Sequence, residues 1–256
     1  MATLAIPLLK RVTISIRNLI LYGVLTWIMF FLICLILGPM SLFLVLTGRV
    51  RVKGWTNVWK AGWKNVIWTA NHPSYLDIWL PLVLLWPLAM LWPFKFVPWQ
   101  MPDKSNFKFL RNFRTFRGIA VDRNGENFYS TMKEVLHVLS NNVLLIFPEA
   151  GRTSSAPNSR LPDLPEGVEI RVPSTGIAQI VTKTNPRLLP IRIQRTDLFL
   201  ARGQGIPRFW KGVIRITIGE PYQLEQSSMK GLEREERKAA LQQMANEIMI
   251  RVGTLE

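Results

Sequence analysis

The first division of the chain is set by an absence: no charged residue occurs between positions 19 and 47. A single helix of that length exceeds the roughly 30 Å hydrocarbon core of a bilayer. Gly38-Pro39 interrupts the run, so it reads either as one span ending near Leu37 with a shorter piece after it, or as a bent pair of helices dipping into one leaflet. Lys10, Arg11 and Arg17 precede it and Arg49, Arg51 and Lys53 follow, a balance that mildly favours both ends on the same side. A signal peptide is the competing reading, but the run is too long and shows no small-residue cleavage site.

Beyond position 54 the pattern changes to short apolar runs alternating with amphipathic stretches. Residues 66–70, 143–147, 188–193 and 213–218 have the length and β-branched content of buried strands, with a shorter one at 119–121. Phe128, Met132, Val135, Leu136 and Leu139 mark one face of a helix over 124–141. Ser174 caps a predicted helix over 177–184, and residues 229–252 form a charged helix with Leu232, Leu241, Met244 and Ile248 on one face. Pro81, Pro87, Pro93 and Pro98 rule out a straight helix over 78–99, while residues 154–173, rich in Ser and Pro, read as a loop or lid. The expected fold is α/β: a sheet flanked by helices over residues 54–256, preceded by a membrane-anchoring helix or helical hairpin over residues 1–53.

Charge sharpens this picture. The chain carries a formal +15 together with 48% hydrophobic residues and ten Trp, a combination that suits an anionic membrane surface better than nucleic acid, for which no module is visible. Trp79, Trp86, Trp92 and Trp99 recur at intervals fitting either the headgroup zone of a bilayer or ordinary core packing. Lys108, Arg111, Arg114 and Arg117 alternate with Phe109, Phe113 and Phe116, a cationic face turned either to phosphate groups or to solvent. A single cysteine, Cys34, excludes an internal disulfide and points to a reducing compartment. With only His72 and His137 in the chain, no metal site is expected, and His137 reads as structural.

Candidate chemistry concentrates at the ends of predicted strands. After residues 66–70 come Asn71, His72, Ser74 and Asp77. A carboxylate on the first helical turn can fix one imidazole nitrogen and leave the other free as a general base; a turn histidine beside a capping aspartate is the plainer alternative. Ser74 is a weaker candidate nucleophile. The strand at 119–121 delivers Arg123, and the strand at 143–147 runs into Glu149, Gly151 and Arg152. Arg152 offers a fork of donors for a phosphate or carboxylate, or pairs with Glu149.

These motifs resemble the 1-acyl-glycerol-3-phosphate acyltransferases and their glycerolipid acyltransferase relatives. The first block of that family is similar to Asn71-His72 with Asp77. The second resembles Gly118 to Arg123, the third Phe147-Pro148-Glu149-Ala150-Gly151-Arg152-Thr153, and the fourth Pro190 within an apolar strand. Ala150 stands where the family usually has Gly, and residues 154–173 make a longer loop than the family pattern leads one to expect. The resemblance implies an α/β fold with an apolar acyl tunnel, and transfer of a fatty acyl group from acyl-coenzyme A or acyl-carrier protein to the hydroxyl of lysophosphatidic acid. It implies His72 as base, Asp77 as its orienting partner, and Asn71, Gly118, Arg123, Glu149, Gly151, Arg152 and Pro190 around the substrates. No cofactor beyond the acyl donor is implied. Glycerol-3-phosphate, another lysophospholipid or an acylated amino acid are alternative acceptors; a thioester hydrolase and a non-catalytic lipid-binding protein are the readings outside that chemistry. The expected location is a membrane, with the site facing the cytoplasm.

Overall fold

The computed structural model describes residues 5–102, 116–121, 128–149, 151, 160–199, 208, 211–225 and 231–256. Its first element corrects the reading of residues 19–47. Helix α1 (Ala5–Leu46) runs without a break through Pro39. Pro39 cannot donate to Leu35, and the loss is compensated by packing that no local pattern reveals. Gly38 lets the Trp86 ring approach so closely that an added Cβ would sit 2.4 Å from it. Ser41 Oγ also donates to the Leu37 carbonyl at 2.8 Å. The segment is therefore one helix and not a hairpin. Its residues 21–46 are long and apolar enough to cross a membrane by length and composition.

Six strands follow: β1 (Val50–Lys53), β2 (Val66–Ala70), β3 (Trp99–Gln100), β4 (Val143–Ile146), β5 (Arg187–Gln194) and β6 (Ile214–Ile218). They form one sheet in the order β1-β6-β5-β2-β4-β3, parallel throughout except for the antiparallel β5–β6 pair. The central strands β2 and β4 are buried along their whole length, as parallel strands covered on both faces must be. β1 lies inside the segment expected to serve as anchor. It is an edge strand whose Arg51 and Lys53 stay exposed while Val50 is buried.

Helices cover both faces. On one lie α1, α2 (Thr56–Ala61) and α3 (Leu80–Leu91), packed on Val66, Trp68, Leu189 and Ile191. On the other lie α5 (Phe128–Leu139), α6 (Gly176–Thr184) and α8 (Arg234–Gly253), packed on Ile67, Leu144 and Leu188. Two short helices, α4 (Pro93–Phe96) and α7 (Thr196–Phe199), complete the set. The prolines of residues 78–99 act as expected: α3 departs from helical geometry at Leu85 and ends before Pro93. The four tryptophans divide. Trp79 and Trp92 are exposed, Trp86 packs against α1, and Trp99 joins the core.

Other expectations are corrected in detail. Ser174 does not cap α6; the capping position is Thr175, without a side-chain bond, and the Ser174 amide donates to Pro148. Residues 160–173, read as loop or lid, are fastened down: Leu161 and Ile170 are buried against Met249 and Val252 of α8. Arg117 does not belong to a solvent-facing or phosphate-facing row. It is buried beneath Trp99, its guanidinium 4.9 Å from the ring centroid, and donates to Asn142 at 2.9 Å. Lys108, Arg111 and Arg114 lie outside the described residues.

One glycine carries a measurable share of this architecture. Gly54, between β1 and α2, has φ +77, and a Cβ there would lie 2.0 Å from the Ile218 carbonyl oxygen. Gly54→Ala is expected to cost at least about 2 kcal/mol, because the backbone strain and the clash with β6 act together. Thermal unfolding should then shift down by about 4–8 °C for a chain of this size.

Candidate active site

Three parallel strands, β2, β4 and β5, end at the same edge of the sheet, and each delivers part of one site, as open α/β sheets commonly do. β2 leads into residues 71–74 and a 3₁₀ turn, Tyr75–Trp79. Ser74 caps this turn, and Asp77 returns the bond by accepting from the Ser74 amide at 2.7 Å. The same oxygen, Asp77 Oδ2, lies 3.0 Å from His72 Nδ1. With Asp77 ionised, Nδ1 carries the imidazole proton and Nε2 presents its lone pair. Among the described residues nothing bonds Nε2. Burial pushes the Asp77 carboxyl up from the ordinary carboxylate range, against the opposing pull of His72, the Ser74 amide and the Thr196 hydroxyl.

The other strands hold this turn in place. Asn71 spends both ends of its amide on the backbone of Ile193 in β5: Nδ2 donates to the carbonyl at 2.8 Å and Oδ1 accepts from the amide at 2.7 Å. From the end of β4, Phe147 stacks on the His72 ring with centroids 4.5 Å apart and planes inclined by 26°. Glu149 is buried, and its carboxylate accepts from the backbone amides of His72 at 2.8 Å and Arg171 at 3.1 Å. Both residues were expected at the substrate. Here the atoms named are engaged with backbone, and the effect is to fix where His72 sits.

The remaining expected positions divide. Gly151 follows Glu149 at this edge, half-buried. Gly118 is buried and pairs with Gln100 beside β3, and the extended backbone continues as Ile119 and Val121 donate to Gln100 and Pro102. Pro190 is in β5 on the sheet face opposite Leu189 and Ile191, with its ring against Gly219. That alternation turns it away from the cavity described next. Arg123 and Arg152 lie outside the described residues. His137 is exposed on the last turn of α5.

An apolar cavity of about 270 Å³ lies beside the dyad, between the later part of α1 and the sheet. This is near the lower end of the roughly 300–1,000 Å³ usual for small-molecule sites. Leu37, Met40 and Leu44 of α1 face Val50, Ile193, Ile214 and Ile216 across it, and its wall includes Asp77, Thr196 and Ser41. Neither the participation of α1 nor that of Thr196 has a mark in the sequence. Phe147 had one, as the first residue of the third block.

The model of the acyltransferase family matches residues 49–194, more than half of the chain and all the elements that build this site except α1, α7 and β6. The chain belongs to the acyltransferase family. Comparison with curated protein sequences gives no match. Among solved structures, this acyltransferase is similar to the 1-acyl-sn-glycerophosphate acyltransferase PlsC from Thermotoga maritima. The identity is 21%, the match covers 81% of this chain and 72% of that one, and the TM-score is 0.45.

Proposed function

We propose that this acyltransferase moves a fatty acyl group from an acyl thioester, on coenzyme A or acyl-carrier protein, to the free hydroxyl of lysophosphatidic acid, yielding phosphatidic acid. The observation that carries the reading is the imidazole of His72, paired with Asp77 through Nδ1 and open at Nε2, beside an apolar cavity whose wall includes Asp77. His72 Nε2 removes the proton from the acceptor hydroxyl as its oxygen attacks the thioester carbonyl. The tetrahedral adduct collapses, the C–S bond breaks, and the imidazolium returns the proton to the departing thiolate. The acceptor is itself the nucleophile, so no acyl-enzyme forms and Ser74, whose hydroxyl accepts from the Leu76 amide in the turn, serves as a cap.

The cavity suits the acyl chain, and α1 would face lipid with its outer surface, where Trp27, Leu32, Ile36 and Phe43 are exposed. Because the inner face of α1 packs on α3 and helps to wall the cavity, the helix fits a position along the membrane surface better than a free crossing. The dyad then lies close to the layer that holds both lipid substrates, on the cytoplasmic side.

The test is thiol release from acyl-coenzyme A, and separately from acyl-carrier protein, by the detergent-solubilised protein with and without lysophosphatidic acid. Acceptor-dependent release with phosphatidic acid as product is expected; acceptor-independent release would make the protein a hydrolase, and no release with any donor or lysolipid would leave a binding protein. Arg123 and Arg152 are assigned to the acceptor phosphate. Arg152→Ala should raise the acceptor KM about tenfold or more, the cost of a lost charge-assisted bond, while leaving the donor KM unchanged. An unchanged acceptor KM would remove Arg152 from that role.

A further inference from the structure

We propose that Thr196 is a positioning residue for the base, its hydroxyl donating to Asp77 Oδ1 and extending the His72–Asp77 pair into a chain of three. The proposal rests on the reading of that pair as the proton acceptor.

Asp77 is used unevenly. Its Oδ2 serves both His72 Nδ1 and the Ser74 amide, whereas Oδ1 is buried and has no hydrogen-bond partner among the described residues. Thr196 Oγ1 is in the same condition, buried and without a partner. Two unsatisfied groups of opposite need, a carboxylate oxygen and a hydroxyl, belong to residues that wall the same cavity. They are near enough that the hydroxyl draws the proton affinity of Asp77 down, and a small turn of the Thr196 side chain or of the carboxylate is what the bond to Oδ1 requires.

The backbone explains why the hydroxyl is there. β5 ends at Gln194, and Arg195 adopts φ +66, reversing the chain so that Thr196 opens α7 at the edge where the catalytic turn lies. Ile193, three residues earlier, is clamped by Asn71, and Phe199, three residues later, is fully buried. Thr196 is thus fastened on both sides to the elements that carry His72. Among the described residues, Glu149 bonds the backbone amides of His72 and Arg171, Arg195 and Asp197 flank Thr196, and the cavity wall beside Asp77 is apolar apart from Ser41 and Thr196. A donor on Oδ1 would keep the carboxylate from turning about its terminal bond, so that Oδ2 stays in line with the imidazole, and would stabilise its charge against burial.

The sign of the effect follows. Without the hydroxyl, the ionised carboxylate is less stabilised and the pair takes up a proton more readily, so its apparent pKa rises. In Thr196→Val the titration of the pair should move up by about one pH unit, and Thr196→Ser should restore it. Histidine labelled with carbon-13 gives only two imidazole signals, from His72 and His137, which a His137→Gln variant distinguishes. The acid limb of kcat/KM should move in the same direction, with kcat down about tenfold and the KM for the acyl donor unchanged. Thr196→Ala should give the same displacement and serves if the valine variant does not fold. Identical titrations in wild type and both variants would overturn the proposal. So would a raised donor KM without a pH displacement, which would place Thr196 against the acyl chain. If the wild-type protein transferred no acyl group, the functional reading would fall, and the imidazole titration would still decide whether Thr196 bonds Asp77.

Discussion

His72→Ala is expected to lower acceptor-dependent acyl transfer about 10³-fold, within the 10²–10⁴ that a positioned general base contributes, with little change in either KM. The ring is partly exposed and packs on Phe147 at the site edge, so its removal leaves the core intact. The companion variant, Asp77→Asn, separates catalysis from folding. An asparagine oxygen in the place of Oδ2 can still accept from both the Ser74 amide and Nδ1, but it carries no charge to stabilise the imidazolium that forms as His72 takes the proton. The base is weakened, and a marked loss of kcat follows, no larger than that of His72→Ala. Stability should respond differently. Burial raises the Asp77 carboxyl in the folded protein, so its contribution to stability is complete below the unfolded pKa and is lost as pH rises through the folded one. Above the ordinary carboxylate range Asp77→Asn should therefore melt no lower than wild type, in contrast to its loss of activity. A variant that melted far below wild type at neutral pH would show that the ionised pair holds the fold together.

What the sequence revealed of the site follows the distance over which each contact acts. The His72–Asp77 pair was legible because both residues sit on one turn, where a spacing of five residues brings Nδ1 and Oδ2 together. The strands β2, β4 and β5 were legible as apolar runs, and β6 by the alternation of Ile214, Ile216 and Ile218 with Arg215 and Thr217. β1, with its two exposed cations, and the two-residue β3 carry no such mark. Gly38-Pro39 is a helix breaker by local rules, and the helix persists because Trp86, remote in sequence, packs into the space the glycine leaves. The use of Asn71 was equally hidden. A polar residue beside a catalytic histidine suggests a substrate ligand, and only the position of Ile193, brought alongside by the β2–β5 pairing, turns it into a clamp. Thr196 lies farthest from any pattern, since its approach to Asp77 depends on a left-handed residue at Arg195.

Glu149 tests the same distinction by experiment. Read from the sequence, its carboxylate belongs to the acceptor, either holding a hydroxyl or orienting Arg152. In the fold it is buried, with its two oxygens accepting from the amides of His72 and Arg171. It joins the β2 turn, the end of β4 and the segment that packs on α8. Glu149→Ala would leave two donors without acceptors in a largely dry setting, at about 1–2 kcal/mol each, so a loss of about 2–4 kcal/mol is expected. Activity should fall with it, about 10²-fold in kcat, because the backbone of His72 would lose the bond that fixes the approach of Nε2 to the acceptor. Glu149→Gln keeps one acceptor oxygen and turns an amide N–H toward the other donor, so its stability should lie between alanine and wild type. The two readings separate in the kinetics. A carboxylate that held the acceptor would, when removed, raise the acceptor KM at unchanged stability; one that holds His72 lowers kcat and melting temperature together at nearly unchanged acceptor KM. Denaturant unfolding of the three proteins, alongside kcat and KM measured with the acceptor varied, distinguishes them. A rise in KM without destabilisation would return Glu149 to the acceptor and leave the position of His72 to Asp77, Asn71 and Phe147.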